Sequence, residues 1–120
     1  MKWYLSIPAS ESLTIGMFCV TEECDELAVL QEKVGGFIEA VPARVGVRRG
    51  TLIVNEEGLL KRLRTNPRAS ALRAMISAHP LVGDAVLAGP VKNGEFVGLS
   101  DATMQEVEDF LWRTRRCAHE

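Results

Sequence analysis

Long apolar runs are missing from this 120-residue chain, and each one breaks well before the roughly 20 residues that span a bilayer. The first eight residues, Met1-Lys2-Trp3-Tyr4-Leu5-Ser6-Ile7-Pro8, alternate in polarity and so do not read as a secretory signal. No lipidation motif stands at either end. The expectation is a cytoplasmic protein with no membrane partner. Cysteine is sparse: Cys19, Cys24 and Cys117 are odd in number and widely spaced, which excludes a disulfide framework. Those three and His119 could be written as a metal set, but Cys-x4-Cys and Cys-x-His match usual zinc spacings poorly. We expect no metal and no cofactor. Histidine is equally scarce: His79 precedes a proline and His119 is the penultimate residue, so neither has a triad partner legible in sequence. Also absent are the phosphate-loop, dinucleotide-fingerprint and nucleophile-elbow motifs, internal repeats and low-complexity tracts.

What is present suits a single α+β domain spanning residues 1–120. Trp3, Leu5 and Ile7 alternate with Lys2, Tyr4 and Ser6, as a half-buried strand does. A polar turn over 8–12 then leads to a second strand, Leu13 to Val20, giving a hairpin. Thr21 fits a helix N-cap, Glu22 and Glu23 suit the first turn, and Cys24, Leu27, Leu30 and Val34 recur at helical spacing. Gly35-Gly36 ends that helix. Phe37 to Val41 reads as a strand closed by Pro42. Thr51 to Val54 reads as another, with Leu59 to Leu63 as its return partner beyond the turn Asn55-Glu56-Glu57-Gly58. Asn66-Pro67 is a cap followed by proline at the first helical position, and Ala69, Leu72, Met75 and Ile76 form the helix's apolar face up to His79-Pro80. Ala85 to Val91 is a strand that Pro90 places at a sheet edge, and Asn93-Gly94 turns it into Glu95 to Leu99. Ser100 or Asp101 caps a last helix with Met104, Val107, Phe110 and Leu111 inward and Arg113, Arg115 and Arg116 at its end. Hairpin links of this kind predict a mainly antiparallel sheet with about three helices packed on it.

The net charge of −2 is small, but its distribution is uneven. Between Ala40 and Gly83 stand eight bases, Arg44, Arg48, Arg49, Lys61, Arg62, Arg64, Arg68 and Arg73, against Glu56 and Glu57, a net of +6. The other six bases and fourteen acids give −8. A basic middle in an acidic chain is a candidate anion surface. Arg68 falls in the first turn of the Asn66-Pro67 helix, where a cation opposes the helix dipole and an anion would relieve it. Arg64 and Arg68 would offer guanidinium forks to a phosphate, Asn66 would order the loop, and Arg73 adds charge nearby. The other reading of these arginines is a solvated face, with Arg68 paired to an acid such as Glu39 or Asp84. Glu39 interrupts an apolar strand. It reads either as the exposed face of an edge strand or as a partner for an arginine or a ligand hydroxyl. Aromatics are not interleaved with the bases, so nucleic-acid binding is not expected.

Five segments carry a resemblance. Residues 34–42 (VGGFIEAVP), 52–58 (LIVNEEG), 66–69 (NPRA), 82–89 (VGDAVLAG) and 95–100 (EFVGLS) resemble, in order, blocks of domain of unknown function 3846, over roughly residues 27 to 110. The resemblance implies a small protein of phages, plasmids and bacterial mobile elements, with no assigned activity. With the basic middle, it leads to the expectation of an oligomeric, non-enzymatic protein that sequesters an anionic, nucleotide-type host signal. Ligand contacts would come from Arg68, Arg64, Asn66, Glu39, Arg73 and Asp84, and no residue is assigned a catalytic role. Replacing Arg68 with Ala is expected to abolish binding without unfolding the chain. The alternatives are a protein–protein inhibitor or adaptor of a host protein, and a small nucleotide hydrolase or lyase.

Overall fold

The alternating segment Lys2–Ile7 forms β1, and Gly16–Val20 forms β2 antiparallel to it, with Ser6 opposite Gly16 and Lys2 opposite Val20. The hairpin is as expected, but its second strand starts at Gly16, not Leu13, because residues 8–15 are held as a wide loop. The computed structural model describes residues 1–75 and 79–118. Ile76 and His119 lie outside the described residues, as do the side chains of Arg113, Arg115, Arg116 and Cys117.

Helix α1 spans Glu26–Val34. Its cap is Asp25, whose carboxylate accepts from the Ala28 N–H, and not Thr21. Residues 21–24 form a separate turn closed by the Cys24 N–H on the Thr21 carbonyl, so Cys24 precedes the helix. Asp25 is as strong a cap as Thr21, and the later start leaves Leu27 exposed while Leu30 and Val34 are buried. Gly35 closes the helix as expected, at φ 80° with its N–H on Gln31.

Strand β3 runs Ile38–Val45, straight through Pro42, and β4 runs Arg48–Asn55. The two pair antiparallel along their whole length across a two-residue link with Gly46 at φ 61°. Pro42 did not end the strand because β3 is an edge strand. The Arg44 N–H points outward to the Leu72 carbonyl, so Pro42, two residues earlier, also faces outward and leaves no ladder bond unmade. Leu59 to Leu63 is not a strand. β4 already has β3 on one side and β5 on the other, and residues 56–62 coil into turns instead.

Asn66 and Pro67 start helix α2 as expected, but it stops at Ala71 after five residues. Leu72 is fully buried, and the next residues turn to pair with β3, with Ala43 opposite Arg73 and the Ala74 N–H on Pro42. Strand β5, Ala85–Ala88, is central and buried throughout, so Pro90 lies beyond it and marks no edge. Asn93-Gly94 is a turn, both residues at positive φ, but its arms share one bridge, Lys92 with Glu95, and 95–99 is not a strand. Helix α3, Asp101–Ala118, is capped by the Ser100 hydroxyl accepting from the Thr103 N–H.

The result is an α+β fold: one antiparallel sheet of order β2-β1-β5-β4-β3 with helices on both faces. Leu5, Ile7, Leu52, Val54 and Leu87 face α2 and α3, together with Ala69, Leu72 and Val107. Tyr4, Ile53, Val86 and Ala88 face Leu30 and Val34 of α1. Tyr4, which alternation places on the wet face of β1, is fully buried because α1 covers that side. No described helix is long and apolar enough to cross a membrane.

Candidate functional site

Three of the residues expected at the ligand site, Asn66, Arg68 and Asp84, do come together, and they converge on backbone. Asn66 is fully buried. Its Oδ1 accepts from the Ala69 N–H at 3.0 Å, and its Nδ2 donates to the carbonyls of Ile7 at 2.8 Å and Gly83 at 2.9 Å. Arg68 Nη2 donates to the carbonyls of Pro8 at 2.7 Å and Ser10 at 3.0 Å. Asp84 Oδ1 accepts from the Ala9 N–H at 2.9 Å. Consecutive residues 7–10, from the end of β1 into the β1–β2 loop, are thus gripped one after another. A cation in the first turn of α2 has carbonyl oxygens for partners, which offsets its unfavourable place in the helix dipole.

The remaining expected residues are dispersed. Arg64 is exposed, with its carbonyl accepting from Gly83. Arg73 donates to the His79 carbonyl at 2.8 Å. Glu39 sits exposed on β3, opposite Val54, so the edge-strand reading describes its position. The exposed Cys19 and Cys24 do not gather with other ligands, and no group of three metal-binding side chains occurs among the described residues.

Sequence reasoning missed a concavity on the α1 side of the sheet. Along β3, Ile38, Ala40, Pro42 and Arg44 point to that side, and along β4 so do Asn55, Ile53, Thr51 and Arg49. A nine-residue helix is only about 13 Å long. Helix α1 therefore covers Ile53 and Ile38 but leaves Ala40, Pro42, Arg44 and Arg49 exposed. The bared strip is the floor of a trough of about 580 Å³, walled by Ala74 and Met75 past the β3 edge and by Pro90 and Val91 after β5. That volume lies within the usual range of small-molecule sites.

Arg44 and Arg49 stand directly opposite each other at the trough's end. Because the Arg44 N–H points outward, theirs is a non-hydrogen-bonded pair, the closer of the two antiparallel spacings. Like charges at that spacing repel. Among the described residues no carboxylate bridges either of them; the ion pairs are Lys2–Glu26 and Arg48–Glu106, both at 3.2 Å. Two arginines facing each other across the strands beside an apolar floor suit an anionic group joined to a flat, apolar body. Among the described residues the lining contributes no carboxylate, imidazole or thiol. The signal that could have found the pair was Gly46-Val47, a two-residue link with glycine first that places Arg44 across from Arg49.

The family model described as Domain of unknown function (DUF3846) matches residues 14–111. No curated protein and no solved structure matches the chain.

Proposed function

Since the chain belongs to the DUF3846 family, for which no function is assigned, we propose from its geometry that it binds and sequesters an anionic, nucleotide-type ligand in the β3–β4 trough. One observation carries this reading: Arg44 and Arg49 are directly opposite in the β3–β4 register, have no acidic partner among the described residues, and share the trough's lining with Pro42, Met75 and Val91. Phosphate oxygens would bridge the two guanidiniums, and the base or sugar face would cover the apolar strip. In a phage or mobile element, such binding would withdraw a host signalling nucleotide before it reached its effector. Protein purified from cells supplied with candidate nucleotides and then denatured is expected to release one of them chemically unchanged. Release of a converted product would instead identify a hydrolase or lyase.

A second reading, a protein–protein inhibitor, is favoured by a different surface. Leu59 and Leu60 are 63% and 83% exposed on the turn that also carries Lys61 and Arg62. An exposed apolar tip with Glu56 and Glu57 at its start and Lys61 and Arg62 at its end suits burial against a host protein. Co-purification of such a protein, lost in Leu60→Glu and kept in Arg44→Ala, would favour it over sequestration.

A further inference from the structure

The two edges of the sheet are treated differently. Edge strands expose unpaired backbone groups, and proteins blunt them with proline, charge, bulges or covering segments. At β3 this is done twice, by Pro42 and by the pairing of Leu72 and Ala74 with the outer edge. At β2 none of it is done. Gly16-Met17-Phe18-Cys19-Val20 contains no proline and no charge, and among the described residues it pairs only with β1. Its outward-facing groups follow from the ladder. The Trp3 carbonyl accepts from the Leu99 N–H on the side away from β2, so Tyr4 and its opposite number Phe18 exchange bonds with each other. The main chain of Met17 and Cys19 therefore points to solvent.

We propose that β2 pairs antiparallel with β2 of a second copy of this chain, around a two-fold axis at Phe18, forming a ten-stranded sheet. Met17 would then lie opposite Cys19 of the second copy, and each pair would exchange both main-chain bonds, four in all. The side chains match on both faces. On the α1 side Phe18 packs tilted against Tyr4, at 59° with ring centroids 5.7 Å apart, Lys33 Nζ lies 4.6 Å from the Phe18 centroid, and the axis would bring the two Phe18 rings together. On the other side Trp3, 40% exposed, is opposite Cys19, and Met17, 61% exposed, is opposite Leu5, so an apolar row would cross the junction. The occupant is argued from charge. In self-pairing about a two-fold axis, a charged strand residue near the axis meets its own copy, which is destabilising, and this strand carries none; the cation over Phe18, Lys33, comes from α1 on a flexible side chain. A strand adapted to a foreign partner would gain specificity from the charges that are missing here.

Sedimentation equilibrium of the full chain tests this. The wild type is expected to sediment at twice 13.2 kDa. Cys19→Pro removes one outward N–H, which an edge strand tolerates, and Met17→Lys places a charge beside the axis; both are expected to sediment as monomers. Their melting curves report whether the fold is kept, and if Cys19→Pro fails to fold, Met17→Lys alone decides. A monomeric wild type would overturn the proposal, as would a dimer that a folded Met17→Lys leaves intact.

Discussion

Tyr4 shows how one burial event changes a residue's chemistry. It is fully buried between the sheet and α1, and its hydroxyl donates to Glu26, which also holds Lys2. Burial, followed by that hydrogen bond and the negative charge of Glu26, raises its pKa well above the ordinary 10.0. The folded state keeps the proton after the unfolded state has begun to lose it, so stability is intact below pH 10 and falls as pH rises beyond it. This is the chain's single tyrosine, so tyrosinate absorbance has one source. Above pH 10 that absorbance is expected to appear together with loss of the folded circular-dichroism signal; its appearance in a folded protein would place the hydroxyl in solvent. Arg68 gives a second test at this scale. Arg68→Ala removes two charge-assisted bonds to loop carbonyls and is expected to lower stability by about 2 kcal/mol, read as a denaturant midpoint. Under the trough assignment its ligand affinity is unchanged.

At the scale of elements, local chemistry and tertiary pairing share control. Asn66 caps α2 as its sequence indicates, but its importance comes from the two donations that only the fold reveals. Asn66→Ala loses three buried hydrogen bonds and is expected to cost roughly 3 kcal/mol in chemical denaturation, more than a surface cap substitution. Gly46→Ala is expected to cost about 1 kcal/mol, since φ is 61° and the new Cβ would stand 3.0 Å from Glu106 Oε2. The glycine stop of α1 and the start of α3 were legible because each is set by residues within one turn of itself, and the first hairpin because its strand β1 alternates in polarity. The extent of β3 and the end of α2 were not, because Pro42 is permitted by an empty ladder position and α2 is cut short by the pairing of Arg73 with Ala43. The same distinction governs the site. The excess of bases in the middle of the chain was visible. That Arg68 grips backbone while Arg44 and Arg49 face each other depends on strand register.

The whole molecule is one antiparallel sheet with unequal cover. Helix α1 shields the α1-side face only in part, and the bare remainder is the trough. Of the eight bases in the +6 middle, Arg44 and Arg49 line the trough, while Arg48 is paired with Glu106 and Arg68 with the carbonyls of Pro8 and Ser10. Binding there is expected to weaken as salt is raised, since the Debye length falls to about 8 Å near 0.15 M and the arginines are exposed. Affinity that holds constant across that range would indicate contacts made by apolar surface alone. The most direct test is a thermal-shift and calorimetric screen of linear and cyclic nucleotides against wild type, Arg44→Ala and Arg49→Ala. The account predicts that at least one nucleotide raises the wild-type melting temperature and that each substitution weakens its binding by about tenfold or more without lowering the stability of the free protein. A ligand that stabilises the variants as strongly as the wild type, or a panel in which none stabilises the wild type, would contradict it.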